Sequence, residues 1–225
     1  MTFSIVGRCA QTGMLGVAIT TSSICVGSRC PWGRARVGAV ATQNITDPGL
    51  GPTILDLLAA GRSACEAVDH AVSTASNIEY RQLTVIDASG QTAYYTGAKI
   101  LGANAVAKGK GCVAAGNLLR DRRVPSAMTR MFEENPDTHL AERLLRALEA
   151  GLQAGGEAGP VRSAGLLVYH EQPWALVDLR IDWDEDFPIQ SLRKVWETYE
   201  PQINDYVVRA TDPGLAPSFS VPGDP

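Results

Sequence analysis

The second residue of the chain, Thr2, is the strongest candidate for chemistry. Initiator methionine is generally removed when the next residue is small, so we expect Thr2 to become the first residue. It would then carry a hydroxyl and a free α-amine with a pKa of about 8, which can accept a proton at neutral pH. One residue would therefore supply both the nucleophile and its base. Taken alone the pattern is weak, because a threonine in second position is common.

Polar side chains near the ends of predicted strands could complete a site around Thr2. Ser22 and Ser23 end the second predicted strand, and Gln43 and Asn44 end the third. We expect Gln43 or Asn44 to stabilise a developing oxyanion, which needs donors at about 3 Å. Ser23 and Asn117 are predicted to contact substrate. For each residue the alternative is a structural role as a side chain that caps a turn.

Three arginines, Arg29, Arg34 and Arg36, lie between the second and third predicted strands. A guanidinium there could lower the pKa of a nucleophile or bind a substrate carboxylate. We expect one of the three to do so, with Arg29 and Arg34 as the candidates for substrate binding.

Familiar cofactor and metal motifs are missing from the sequence. It has no G-x-x-x-x-G-K-[ST], no G-x-G-x-x-G after a strand, no H-E-x-x-H and no G-x-S-x-G. His70, His139 and His170 lie in separate elements without the spacing of zinc ligands. Cys25 and Cys30 lack a second pair to complete a metal site. We therefore expect neither a metal nor a cofactor, while an internal Cys or Ser nucleophile stays open as an alternative.

The composition argues against several classes of protein. The net charge of the 225 residues is −4, and Lys and Arg do not cluster, which disfavours nucleic acid as a partner. No window approaches the roughly 18 apolar residues of a membrane span. The chain starts without the pattern of a signal peptide, and its five cysteines are an odd number, so we expect free thiols and a cytoplasmic protein.

Periodicity along the chain predicts strands and helices in an alternating order. Two strands open the chain as a hairpin, and further strands follow in pairs, each set separated by two helices. The predicted strands are 3–8, 15–21, 37–43, 83–87, 91–96, 111–119, 163–169 and 174–181. The predicted helices begin near Pro52, Ser63, Pro125, Asp137 and Ile189.

Helices that arrive in pairs between antiparallel hairpins fit an α+β protein in which two stacked sheets are covered by helices. We expect a four-layer αββα sandwich of two mainly antiparallel sheets. It should form a single domain over residues 1–209. Residues 210–225 are rich in Pro, Gly and Ser and are predicted to be a loose tail or an arm on a partner subunit.

Six segments form a distinctive series along the chain: T-F-S-I-V-G-R (2–8), T-G-x-L-G-V-A (12–18), C-P-W-G-R-A-R-V-G-A-V-A-T-Q (30–43), G-N-L-L (116–119), L-A-E-R-L-L-R-A-L-E-A-G (140–151) and P-W-x-x-V-D-L-R (173–180). Together they resemble the domain of unknown function 1028 family, which is placed in the Ntn-hydrolase superfamily. The resemblance is co-linear to about residue 208. It implies the αββα sandwich with a possible N-terminal nucleophile on the first strand, and amide hydrolysis only by analogy.

One segment departs from that family's pattern. The family often shows G-G-D-x-R-G-x-Q-S-A, where this chain has G-G-E-A-G-P-V-R-S-A over 155–164. If this segment touches substrate, the substrate could differ from those of other members.

The residues and the resemblance together predict a hydrolase that cleaves an amide-type bond of a small molecule through an acyl-enzyme on Thr2. We expect it to act as a homo-oligomer. The alternative is a non-catalytic ligand-binding or assembly protein that retains the sandwich.

Overall fold

Residues 1–218 are described by the structure, a computed structural model, and form ten strands and six α-helices. The strands are β1 (Thr2–Arg8), β2 (Leu15–Thr21), β3 (Pro31–Arg34), β4 (Gly38–Asn44), β5 (Arg81–Asp87), β6 (Thr92–Thr96), β7 (Ala105–Gly109), β8 (Cys112–Asn117), β9 (Ser163–Tyr169) and β10 (Val177–Ile181). The helices are α1 (Leu50–Ala59), α2 (Ala64–Thr74), α3 (Val124–Glu134), α4 (Leu140–Gln153), α5 (Pro188–Tyr199) and α6 (Ile203–Thr211).

The strands form two antiparallel sheets that stack face to face. One has six strands in the order β10-β9-β2-β1-β8-β7, and the other has four in the order β3-β4-β5-β6. Helices α3, α4 and α5 pack on the six-stranded sheet, and α1 and α2 pack on the four-stranded sheet. The result is the predicted four-layer αββα sandwich of two antiparallel sheets covered by helices.

Strands β1 and β2 are central to the six-stranded sheet and are buried on both faces. On the outer face Phe3 and Ile5 join the core formed with α3 and α4. On the inner face Val6 and Val17 pack against Ile86 of the other sheet. Strands covered on both sides have few positions for exposed polar groups, which explains their nearly continuous apolar sequence.

The layer between the two sheets changes character along the strands. Around Val6 it is apolar, with Ala39, Ile86 and Val113. At the other end of β1, where Thr2 and Ser4 lie, the buried side chains of this layer are polar. Burying polar groups costs free energy unless they are hydrogen-bonded. This polar end of the sandwich is therefore the candidate location of a functional site.

Three elements, β3, β7 and α6, are not predicted by the sequence pattern. Strand β3 is short and contains Pro31 and Gly33, and β7 contains two alanines and Gly109, so neither shows a marked strand pattern. Helix α6 buries only Ile203, so its sequence shows little apolar periodicity and does not predict a helix. The predicted helix start at Ser63 is confirmed, since Ser63 is the N-cap of α2. The Ser63 and Glu66 side chains each bind the other residue's backbone N–H, which forms a capping box.

Helix α4 begins later than the predicted start near Asp137. The helix starts at Leu140, and its N-cap is His139, whose Nδ1 accepts from the Ala141 N–H at 3.2 Å. It continues through Gly151 to Gln153. A Cβ at that glycine would lie 3.0 Å from Cε2 of Phe3, so the residue allows close packing of α4 on β1 rather than ending the helix.

The division into a domain over 1–209 and a tail over 210–225 stays a prediction. Within the described residues, α6 continues to Thr211 and a short 3₁₀ turn follows at Pro213–Leu215. Residues 219–225 of the predicted tail lie outside the described residues.

Candidate active site

Thr2 begins β1, in the middle of the six-stranded sheet. Its Cα pairs with Thr21 at the end of β2 on one side and with Asn117 at the end of β8 on the other. The residue is buried, with 5 % of its surface exposed. The start of the chain is therefore fixed between two strands, as an N-terminal nucleophile requires.

The hydroxyl of Thr2 lies against two oxygens. Its Oγ1 is 3.0 Å from Oγ1 of Thr21 and donates to the carbonyl oxygen of Met1 at 2.6 Å. The Thr21 hydroxyl donates to the same carbonyl oxygen. Two hydroxyls from neighbouring strands thus converge on one carbonyl oxygen at the start of the chain.

A chain of polar contacts leads from Thr2 to a cation. The Thr21 Oγ1 is 3.5 Å from Oγ of Ser23, and Nη2 of Arg29 donates to that Ser23 oxygen at 2.8 Å. Nη1 of Arg29 donates to the Cys25 carbonyl at 2.9 Å, which fixes the guanidinium plane. Of the residues predicted to bind substrate, Ser23 and Arg29 are therefore brought towards Thr2.

The segment that carries Ser23 and Arg29 is anchored by β9 and by the residues after β10. Oγ of Ser163 donates to the Ser23 carbonyl at 2.6 Å and accepts from the Val26 N–H at 3.2 Å. The Cys25 N–H donates to the Asp182 carbonyl at 2.9 Å. Cys25 itself has φ +56°, a left-handed conformation that reverses the chain after β2.

Below Thr2, a row of buried amides joins the two sheets. Oγ of Ser4 donates to Oε1 of Gln43 at 2.7 Å, and Nε2 of Gln43 donates to Oε1 of Gln82 at 2.7 Å. Nδ2 of Asn117 donates to the same Gln82 oxygen at 3.3 Å. Both polar ends of the Gln43 amide are therefore engaged in this row, and its predicted role at an oxyanion remains untested.

The two asparagines differ in their remaining hydrogen-bonding capacity. Asn44 has both ends in use, since Nδ2 donates to the Tyr80 carbonyl at 2.7 Å and Oδ1 accepts from the Leu101 N–H at 3.3 Å. Asn117 is fully buried, and its Oδ1 has no partner among residues 1–218. Asn117 is thus the predicted site residue that lies beside Thr2 in the sheet and still has a free acceptor.

The structure does not bring Arg34 to Thr2. Arg34 pairs with Gly38 at the opposite end of β4 from Asn44. Its Nη2 forms an ion pair with Oδ1 of Asp56 on α1 at 2.8 Å. Arg36 is also remote, since it is exposed and 4.0 Å from a carboxylate oxygen of Glu171.

Glu157 is the most unusual ionisable residue of this end of the sheet. It is 2 % exposed, and neither carboxylate oxygen has a hydrogen-bond partner among the described residues. Burial raises the pKa of its carboxyl to about 8, while the positive charge of the N-terminal amine acts in the opposite direction.

Cys30 has little support as an alternative nucleophile. Burial raises the pKa of the Cys30 thiol, although Thr46 and Arg29 act to lower it. A buried thiol that is held protonated is a poor nucleophile. All five cysteines are free thiols in the structure.

The residues that sequence reasoning missed are Thr21, Gln82, Ser163 and Glu157. Thr21 could have been found from the hairpin, because the turn between β1 and β2 fixes the register that sets it opposite Thr2. Glu157 lies in a glycine-rich segment with no periodic pattern, so nothing in the sequence marked its carboxyl as buried.

Within residues 1–218 no three His, Cys, Asp or Glu side chains are grouped as metal ligands. In the same range, no helix combines the length and apolar character needed to cross a bilayer.

The family of unknown function DUF1028 matches residues 2–192. The chain belongs to this family. A DUF1028 protein of known structure, SPO2555 from Silicibacter pomeroyi, is 34 % identical to it with a TM-score of 0.81, and the match covers 88 % of each chain. No curated protein matches the chain.

More distant similarity extends to structures of Anbu, including one from each of two organisms. Anbu (ancestral beta-subunit) from Yersinia bercovieri is 11 % identical with a TM-score of 0.42, over 97 % of this chain and 100 % of that one. Anbu from Hyphomicrobium sp. strain MC1 is 12 % identical with a TM-score of 0.39, with the same coverage.

Proposed function

We propose that this DUF1028 protein is an N-terminal-nucleophile hydrolase that cleaves a C–N bond of amide type in a small molecule. The observation that carries the proposal is the position of Thr2. It starts a strand buried in the middle of a sheet, and its hydroxyl lies 3.0 Å from Thr21 in a layer of buried polar side chains. A nucleophile needs this kind of fixed position, because small misplacements cost large factors in rate.

The chemistry requires removal of Met1, so that the nitrogen of Thr2 becomes a free amine. The amine accepts the proton of Oγ1 as this oxygen attacks the substrate carbonyl carbon, and the carbonyl electron pair moves onto its oxygen. When the C–N bond breaks, its electron pair stays on the departing nitrogen. This nitrogen takes a proton from the protonated α-amine of Thr2. Water then attacks the ester on Oγ1 by the same route and releases the acid.

The carbonyl of Met1 supports this assignment. Its oxygen accepts hydrogen bonds from Thr2 and Thr21, so two donors at this point already hold a carbonyl oxygen. Loss of Met1 vacates that position. The oxygen of a substrate could then be held by Thr21 while Oγ1 of Thr2 reacts.

The other predicted residues keep their roles as proposals. Arg29, linked to Thr21 through Ser23, is our candidate for orienting a substrate carboxylate. We propose that Asn117, the partner of Thr2 on β8, contacts substrate, and that Gln43 or Asn44 acts on the oxyanion after releasing a present partner. We also propose that the protein works in the cytoplasm as a homo-oligomer.

The deciding experiment uses the full chain with Thr2 as its first residue. We would incubate it with a panel of small amides, ureides and acyl-amino acids, and search by peptide mass for an acyl adduct on Thr2. The Thr2→Ala variant should lose both the adduct and turnover, while Thr2→Ser should retain some of each. If no panel member is cleaved but some raise the melting temperature, the non-catalytic ligand-binding alternative would be favoured.

A further inference from the structure

A buried carboxyl without a hydrogen-bond partner needs an explanation, because polar groups removed from water are almost always paired. Glu157 is such a group, with 2 % of its surface exposed and both oxygens unpartnered within residues 1–218. It lies in the connection between α4 and β9, where the sequence departs from the pattern of its family.

This connection closes over the start of β1. Glu157 pairs with Leu119, and the Ala158 N–H donates to the Leu118 carbonyl at 2.8 Å. Thr2 pairs with Asn117 of the same neighbouring strand. Glu157 therefore lies beside the residues that follow β8, at the position where a residue preceding β1 would otherwise pair with them.

Further contacts fix the same connection beside Met1. A Cβ at Gly159 would lie 2.7 Å from Cε of Met1, and the Arg162 N–H donates to the Thr21 carbonyl at 2.8 Å. The segment thus runs from the end of β8 to the end of β2 and passes beside the Met1 side chain.

Few charged or titratable groups surround Glu157. Arg120 and Asp121 follow β8, where the Arg120 N–H donates to the Gly156 carbonyl at 3.1 Å, and Asp121 is paired with Arg123. Arg162 lies over the ring of Trp183, with 5.9 Å from the guanidinium carbon to the ring centre. The positive charge that acts on Glu157 in the structure is that of the Met1 amine, which also acts on Cys30.

We propose that Glu157 is the positioning residue for the α-amine of Thr2, to which its carboxylate binds once Met1 has been removed. This inference rests on the proposed function, because the amine is the base in that mechanism. As the amine takes the Thr2 hydroxyl proton it becomes an ammonium, and a carboxylate beside it stabilises that charge. The carboxylate also orients the α-amine nitrogen of Thr2 towards Oγ1. In return, the Glu157 oxygens gain the hydrogen-bond donor that they lack.

The test measures the pKa of the amine and does not depend on turnover. The full chain is released from an N-terminal fusion so that it begins at Thr2. The rate of acetylation of the Thr2 amine by dilute acetic anhydride is followed against pH by peptide mass. In Glu157→Gln we expect the midpoint to fall by about one pH unit, because the amine loses an adjacent negative charge. Glu157→Asp should restore most of the shift.

The control is Glu133→Gln. The Glu133 carboxylate accepts the Lys110 N–H near Arg8, at the end of β1 opposite Thr2, so this substitution should leave the midpoint unchanged. An equal midpoint in wild type and Glu157→Gln would overturn the inference, even if Thr2-dependent hydrolysis is found. A shifted midpoint without hydrolysis of any panel substrate would leave the amine–carboxylate pair standing and count against the proposed function alone.

Discussion

The hydroxyl oxygens of Thr2 and Thr21 lie 3.0 Å apart across the first hairpin. The pairing of β1 with β2 sets this distance, since the two residues are direct partners in the register. Thr21 in turn leads through Ser23 to Arg29. The first two strands and the segment after them thus bring the hydroxyls of Thr2 and Thr21 and the guanidinium of Arg29 to one end of the sandwich.

We expect the protein isolated from its native host to begin at Thr2. The small side chain of Thr2 permits removal of Met1, and the proposed base exists only after that removal. Intact mass measures the outcome directly. Uniform retention of methionine in the native host would contradict the nucleophile assignment.

Thr21→Val should lower turnover by roughly tenfold or more, because it removes the hydroxyl that positions Thr2 and keeps nearly the same shape. The matched control is Thr84→Val on β5, where the buried hydroxyl has no hydrogen-bond partner among the described residues. Steady-state kinetics on a substrate from the panel would measure both. Equal losses in the two variants would show that the effect is structural and not specific to the site.

Arg29→Gln should lower kcat/KM by roughly ten- to a hundredfold for a substrate with a carboxylate, since a charge-assisted hydrogen bond is lost. The effect should be much smaller for the matching uncharged amide. Arg34→Gln serves as control, because it removes only an exposed ion pair worth about 1 kcal/mol at most. A similar loss for both substrates in Arg29→Gln would argue against carboxylate recognition.

In the chain that retains Met1, where its carboxyl has no hydrogen-bond partner among the described residues, Glu157 should make the stability of the fold depend on pH. The pKa of this carboxyl is about 8 in the folded protein, against its ordinary value of 4.5. Between these values the folded state holds a proton that the unfolded state has lost, so the stability conferred by this group is present below pH 4.5 and is lost as the pH rises to 8.

Chemical denaturation at several pH values measures this effect. The free energy of unfolding of Glu157→Gln should exceed that of the wild type by an amount that grows across this window to a few kcal/mol, since Gln cannot titrate. The control is Glu133→Gln. A difference between Glu157→Gln and wild type that is independent of pH would show that the carboxyl titrates normally.

The fold was largely predictable from the sequence. Long periodic segments such as 140–151 and buried runs such as 15–21 determine helices and strands directly, and their order implies the two sheets. Strands β3 and β7 were not predictable, because short segments with Gly or Pro gain their strand structure from neighbouring strands and not from their own propensity.

The site was predictable only in part. Thr2, Ser23 and Arg29 could be proposed because they are close to one another along the first hairpin and the loop after it. Gln82 and Glu157 come from distant parts of the chain, and their burial depends on how the second sheet and the α4–β9 connection pack. The position of Arg34 was not predictable, because its separation along the sequence does not indicate which end of β4 it reaches.

The buried amide row of Gln43, Gln82 and Asn117 has a mechanical consequence. A sliding motion between the sheets at this end would break hydrogen bonds that water cannot replace. At the other end, Val6, Ile86 and Val113 form non-directional contacts that tolerate small displacements more easily. Thermal motion of one sheet against the other should therefore resemble a hinge whose axis passes near Thr2, with its widest excursions beside Arg8.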